Sequence, residues 1–560
     1  MTFTYIKPEK QVICFNVSSK DELSQFLAGI YSSIARIGRG KLALIIDYAD
    51  DDMLNEVISS LSKSNMPFSL RLSRNRICLH TYNLGSSIRL GYFDFNVVCQ
   101  KLSELGLCIR YADAMRSRYA DISDLIENYS RHKLCPFHAK INQGIVVYDF
   151  ETFFIARLFD EIDTNETKAL AFLFDTHTVT DFQNIFTVKV RIPELYRGIT
   201  QLKKMRKSWE GFDRVRDAIE SLISGRNYNL KKVSWEEIGT TIEIIRDELL
   251  LHWHRQSFLD VFLSYGFLED RYTLSRTFES IEIISKIFKS DLSNYFRPFI
   301  SRNIIRAAPV DPRFIRLLVD PINPIIIVSK APPPGYYVKD VFGRKSIVYS
   351  SQSNMRNKIN FIVASDVSTK NYASSQELVL KLALYELYIR AETSIEEPVI
   401  LVYPSKKLMI TILEVYARQK EKYSLDFLDL VDPKYEDLLM LRTKPPERKV
   451  LIHLVYRNKL LKNIRKIFTD KPITLVFVGL PIPILSNVLK DTLRRMASLW
   501  GKSKAWEYLI FIPTIMRLIN IVKDLYFNAK LTKVVILDRR ALNEKVINIL
   551  GVKPEKIRMK

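Results

Sequence analysis

The chain has 560 residues, of which 47% are hydrophobic and 26% charged, with 17 glycines and 22 prolines. That length exceeds what one hydrophobic core can fill and predicts three or four domains, and the composition excludes extended disorder. Eighty-four Lys and Arg against 62 Asp and Glu leave a formal charge of +22, the electrostatic footprint of a protein that meets a polyanion.

The first fifty residues read as strand, helix, strand. Residues 11–17 (QVICFNV) form an apolar, β-branched run, and Phe26, Ile30, Ile34 and Ile37 then recur at helical spacing. Gly38 and Gly40 stop that helix, and residues 41–47 (KLALIID) form a second continuous apolar strand, predicting a βαβ unit of a sheet covered on both faces. Similar short runs return at 171–174, 325–328, 399–403, 450–455, 473–478 and 534–537, with helical stretches between them. This spacing predicts two α/β domains built on parallel sheets. From 193 to 303 the pattern is helical and reads as a separate insertion. Ser374-x-x-Glu377 has the form of a capping box ahead of a helix with Leu378, Leu382, Tyr385 and Ile389 on one face. No N-terminal signal pattern appears and no apolar run reaches the roughly 18 residues of a membrane span. The expected location is therefore cytoplasmic and nucleoid-associated, with no membrane partner.

Five cysteines are present, and Cys78, Cys99, Cys108 and Cys135 fall within one 58-residue stretch. In an unsecreted chain such clustering favours a metal or iron–sulfur site over disulfides, the alternative being four ordinary buried thiols. Cys14 lies in the first strand and reads as core. The seven histidines form no ligand set of their own.

Several segments, taken in order, resemble the XPD/DinG branch of iron–sulfur helicases. Residues 71–83 (RLSRNRICLHTYN) resemble the stretch carrying the first cluster cysteine, and Cys135-Pro136-Phe137 the last. Residues 146–154 (VVYDFETFF) are similar to the strand and turn that follow, and 172–179 (FLFDTHTV) stand where the family has its DEAH box. Residues 325–335 (IIIVSKAPPPG) resemble the motif ending the first motor domain. In the second motor, 401–409 (LVYPSKKLM), 477–483 (FVGLPIP) and 534–540 (VVILDRR) resemble the "FPS", "VGLPFP" and "DxR" segments.

The resemblance implies an α/β fold of two RecA-like parallel-sheet domains with an iron–sulfur-type insertion and a helical arch-type insertion. The implied boundaries are 1–76, 141–192 and 304–345 for the first RecA-like domain, 77–140 for the iron–sulfur-like insert, 193–303 for the arch-like insertion and 346–560 for the second RecA-like domain. It also implies a [4Fe–4S] cluster on Cys78, Cys99, Cys108 and Cys135, for which four thiolates are the required ligand number.

The nucleotide-hydrolysing residues depart from the family pattern in three places. Residues 16–22 (NVSSKDE) have no glycine where a loop must wrap phosphates with its backbone N–H groups. Ser19-x-x-Glu22 has the form of a capping box, which satisfies those donors internally and adds carboxylates; Lys20 is a vestige of the phosphate lysine or a solvated loop lysine. Asp175 stands at the Mg²⁺ position, but the neighbouring carboxylate that positions the attacking water is replaced by Thr176. The late helix that supplies an arginine finger reads NIVKDLYF at 520–527, with Asp524 and Phe527 at the finger positions. Neither ATP nor Mg²⁺ is expected to be used.

These readings point to an inactivated helicase paralogue that binds single-stranded or forked DNA as a non-catalytic subunit or scaffold in repair, replication or transcription, with a nuclease, polymerase or active helicase as protein partner. An active helicase with divergent motifs and a scaffold that binds only protein are the alternatives. The basic residues placed near the family's DNA path are Arg71, Arg74, Arg76, Lys203, Lys204, Arg206, Arg302, Arg306, Lys406, Lys407, Arg457 and Lys459. Phosphate contacts of this kind give affinity without reading sequence. Tyr82, Tyr111, Tyr336 and Tyr337 are candidates for stacking on bases.

Overall fold

The computed structural model describes residues 11–16, 25–29, 40–46, 51–63, 68–72, 91–104, 144–173, 179–205, 210–252, 269–329, 332–349, 359–370, 375–443, 447–456, 460–468, 472–483, 485–528, 530–550 and 552–559. In chain order the strands of the first lobe are β1 (Gln11–Asn16), β2 (Lys41–Ile46), β3 (Phe68–Arg71), β4 (Gly144–Asp149) and β5 (Thr167–Leu173). Then come β6 (Val188–Arg191), β7 (Lys231–Lys232), β8 (Phe296–Ser301), β9 (Ile304–Pro309), β10 (Ile325–Ser329) and β11 (Lys345–Tyr349). The second lobe holds β12 (Asn360–Ala364), β13 (Val399–Tyr403), β14 (Phe427–Val431), β15 (Lys449–Val455), β16 (Pro472–Phe477), β17 (Lys530–Ile536) and β18 (Glu555–Ile557).

The strands assemble into two seven-stranded sheets, ordered β11-β1-β10-β5-β2-β4-β3 and β14-β15-β13-β16-β17-β12-β18. Every pairing in both is parallel. The continuous apolar runs follow from this, because helices cover both faces and every side chain of a central strand is buried. Residues 42–46 of β2 and all of β10 and β13 are buried.

The structure departs from the sequence reading at four points. β1 and β2 are not neighbours, since β10 and β5 lie between them. The segment read as wholly helical contains, besides the helices Ile192–Met205, Gly211–Ile223, Trp235–His252 and Glu269–Lys289, strands of a four-stranded antiparallel sheet ordered β6-β9-β8-β7. β11, placed by the sequence at the opening of the second domain, pairs with β1 in the first sheet. The helix Gln376–Glu392 is capped by Ser375, whose hydroxyl accepts from the Leu378 N–H at 3.2 Å, one residue after the serine read as its cap.

That helix carries Glu386, fully buried above Tyr403 of β13. Burial, opposed by the Tyr403 hydroxyl and reinforced by the charge of Asp429, raises its carboxyl well above the usual carboxylate range. The folded state therefore binds this proton more tightly than the unfolded chain, and stability falls as pH rises from the ordinary carboxylate pKa toward the raised one. Glu386→Gln, which is neutral at every pH, should raise the melting temperature at pH 8 and do so less at pH 5, as read by paired thermal melts.

Helices of the second lobe pack into the hydrophobic core of the first, while the second sheet keeps clusters of its own. Met496, Ala505, Tyr508, Leu509, Ile510, Ile512 and Met516 follow β16 in the chain yet pack with Phe182, Phe314, Tyr337 and Phe342 of the first lobe. Within Lys502–Lys523, a 22-residue stretch with mean hydropathy 1.4 in its most apolar window, 72% of that window is buried inside the protein. It meets a membrane span's length and hydropathy where the sequence reading found no such run, and spends that apolar surface between the lobes. Polar contacts frame the junction: the Tyr508 hydroxyl donates to Asp340 Oδ2 at 2.6 Å, Tyr336 to Glu507 Oε1 at 2.8 Å, and Asn487 Nδ2 to the Leu230 carbonyl at 2.7 Å.

Candidate nucleic-acid interface

A cleft of about 900 Å³ opens between the lobes. Its second-lobe wall is built where five parallel strands end: Thr369 and Lys370 beyond β12, Pro404 and Ser405 after β13, Val455 and Tyr456 at β15, Leu480 to Pro483 beyond β16, and Arg540 beyond β17. Crevices beyond the carboxyl ends of strands are where open parallel sheets bind ligands. Its first-lobe wall is Gln183, Asn184 and Thr187, with Lys189 on β6 and Arg306 on β9.

Asp538 fixes the strand ends. It is fully buried just after β17 and accepts from Thr369 Oγ1 at 2.7 Å, the Thr369 N–H at 3.2 Å, Arg540 Nε at 2.9 Å and the Leu480 N–H at 3.4 Å, so three strand-end loops converge on one carboxylate. Burial alone would raise its pKa; Arg540 and Thr369 outweigh that and hold it below the usual carboxylate range. Gly479 makes the convergence possible: its φ is +101°, and a Cβ there would lie 2.4 Å from Thr369 Oγ1.

Among the described residues the cleft's lining contains Lys189, Arg306, Lys370, Arg517 and Arg540 and no Asp or Glu. Two helices add to this field. Ser405 and Ser486, both in the lining, cap Lys406–Lys422 and Asn487–Trp500, each accepting at 3.2 Å from the N–H three residues on. The positive ends of both helix dipoles therefore meet the cleft. Trp506 supplies an aromatic side chain that is 40% exposed. Cations, helix N-termini and an aromatic plane are the features by which proteins in general hold single-stranded nucleic acid.

The structure distributes the sequence candidates unevenly. Arg306 lines the cleft, and Lys406 and Lys407 are exposed in the first helical turn after Ser405. Arg71 ends the edge strand β3, Lys203 lies 4.0 Å over the Phe212 ring, and Arg302 sits 5.7 Å from the Tyr228 ring; none of these three lines the cleft. Lys204 lies in the helix Ile192–Met205, and its side chain is outside the described residues. Arg74, Arg76, Arg206, Arg457 and Lys459 are outside them as well, as are Tyr82 and Tyr111. Tyr337 is fully buried in the core and Tyr336 bonds Glu507 across the lobe junction, so Tyr337 has no face for a base. Lys189, Lys370, Arg517 and Trp506 escaped the sequence reading because no local pattern marks them; the strand pairing and the lobe junction bring them together.

Of the residues assigned to nucleotide chemistry, Lys20, Asp175 and Thr176 lie outside the described residues. Asp524 falls in the helix Ile512–Asn528, its side chain not among those described. Of the four cysteines, Cys78, Cys108 and Cys135 are likewise outside. Cys99 lies on the helix Tyr92–Glu104, buried in the first-lobe core beside Phe95. That helix docks on Glu269–Lys289, where the Ser275 hydroxyl accepts from the Gly91 N–H at 2.9 Å and donates to Asp94. Among the described residues no group of three or more His, Cys, Asp or Glu is arranged to hold a metal ion, so no ligand set for a cluster is brought together there.

Two parallel-sheet, RecA-like domains that share a cleft, walled by strand ends of the second and by the small antiparallel sheet of the first, with inserted helices on the first, define a helicase-type α/β fold. In particular the fold is that of XPD helicases. An XPD helicase of known structure superposes with a TM-score of 0.60 at 17% identity, covering 98% of this chain and 96% of the other. An apo XPD gives 0.55 at 16% over 98% and 97%, and S. tokodaii Xpd4 gives 0.57 at 11% over 99% and 96%. No protein-family model and no curated protein sequence matches the chain.

Proposed function

We propose that the protein holds single-stranded or forked DNA in the interlobe cleft without hydrolysing ATP, as a non-catalytic subunit or scaffold of a repair, replication or transcription assembly whose partner enzyme performs the chemistry. The observation that carries the reading is the cleft lining, in which the described residues include five cations and no carboxylate, set at the strand ends of an XPD-like fold. Loss of turnover is supported by the sequence, which lacks a phosphate-loop glycine at 16–22, has Thr176 beside Asp175, and has Asp524 and Phe527 at the finger positions. The packing of second-lobe Tyr508, Leu509 and Ile510 into the first-lobe core resists a wide separation of the lobes and is compatible with that reading.

The test is a titration of fluorescent dT20 and a forked duplex by fluorescence anisotropy, on protein purified anaerobically. Binding that weakens steeply with salt is expected, because a strand contacting several phosphates releases counterions. Affinity unchanged within about twofold by Mg-ATP and no DNA-stimulated phosphate release are expected alongside it. Phosphate release abolished by Asp175→Ala would establish the active-helicase alternative, and no retention of either DNA at low salt would establish the protein-only scaffold. The same preparation's visible absorption tests the cluster reading of Cys78, Cys99, Cys108 and Cys135, and nucleoid co-fractionation from the cytoplasm tests the cytoplasmic, nucleoid-associated location.

A further inference from the structure

We infer that Lys189 and Arg306 together seat one phosphate group of the bound strand, so that the small antiparallel sheet acts as the phosphate-gripping wall of the cleft. The inference rests on the nucleic-acid reading of that cleft.

Lys189 and Arg306 are direct cross-strand partners on β6 and β9. Two like charges at that position repel, and sheets ordinarily avoid the arrangement or answer it with a carboxylate. The next cation on β6 has such an answer: Arg191 pairs with Glu194 at 2.9 Å. Lys189 and Arg306 have none among the described residues, and Arg306 Nε is sealed from solvent with no hydrogen-bond partner. Burial lowers the pKa of both groups, and Arg306 and Arg191 press further on Lys189. Both side chains face the cleft, whose described lining contains no acid. A phosphate between them would relieve the repulsion, supply an acceptor for the orphaned guanidinium N–H, and hold the strand against the first lobe while Lys370, Arg517 and Arg540 meet it from the second.

The experiment compares the full-length wild-type protein with Lys189→Gln/Arg306→Gln. In phosphate-free, low-salt buffer the double variant should melt at or above the wild-type temperature, because a repulsion has been removed; a loss of several degrees would mean that the pair is a structural element and would overturn the seat. Added inorganic phosphate should raise the wild-type melting temperature and leave the variant's unmoved. With dT20 the variant should bind about tenfold more weakly, the scale of one charge-assisted contact. Its plot of log affinity against log salt should be shallower by about 0.7, the value for one single-strand phosphate. An unchanged slope overturns the seat, and a slope shallower by about 1.4 overturns it in favour of two independent contacts. A wild-type protein that responds to inorganic phosphate and ignores dT20 would keep the anion seat and defeat the nucleic-acid reading, so the two failures are distinguishable.

Discussion

Alanine at Tyr508 should cost about 3–5 kcal/mol, the range for removing a large aromatic side chain from a core, and should turn one cooperative melt into two. Tyr508 is fully buried, its ring lies 5.2 Å from Tyr337 and 5.3 Å from Trp500, and its hydroxyl bonds Asp340 across the lobe junction. Tyr508→Phe separates the two contributions. It keeps the packing and removes a single hydrogen bond to a carboxylate, which Lys504 still pairs, and should cost about 1–2 kcal/mol. Calorimetry of both variants, with small-angle scattering to follow the separation of the lobes, checks this. A Tyr508→Ala protein that melts in one transition at the wild-type temperature would show that the junction does not hold the lobes together.

Reversing two charges across the cleft, Arg306→Glu with Lys370→Glu, should weaken dT20 binding by at least about a hundredfold, taking about 1.5 kcal/mol for each lost charge-assisted contact. The substitutions remove one cation from each wall. They should leave the fold intact, since the carboxylate introduced at position 306 would face Lys189 across the strand pair and replace a repulsion with an attraction. Lys203→Glu, more than an ordinary surface change because that lysine lies over the Phe212 ring but still outside the cleft, should alter binding far less. Circular dichroism, melting and anisotropy on the same preparations give the answer. Wild-type affinity in the folded double variant would move the DNA path out of the cleft.

Much of the architecture was legible in the residues themselves. The apolar runs at 11–17, 41–47, 171–174, 325–328, 399–403, 450–455, 473–478 and 534–537 each coincide with or overlap a strand of a parallel sheet, because strands covered on both faces leave no polar alternation. The order of the divergent motifs anticipated the XPD-like fold that the superpositions bear out. Strand order was not legible. β1 sits beside β10, some three hundred residues away, and pairing at that separation is decided by packing of the completed sheet rather than by local pattern. The antiparallel sheet was hidden for local reasons: β7 has two residues, too few for a period, and β8 (FRPFIS) is buried along most of its length and so shows no polar alternation.

The site divides along the same line. Net basic charge, parallel α/β character and the absence of glycine from residues 16–22 are all set by the amino-acid order alone, since each is a property of residues read singly or within a short window. Folding in three dimensions was needed to bring Lys189 opposite Arg306, to gather Lys370, Arg517 and Arg540 into the same cleft, and to lay an apolar helix between the lobes. Those are facts of register and of packing between elements distant in the chain, and a cation-lined pocket exists only once the fold has chosen which charges to gather.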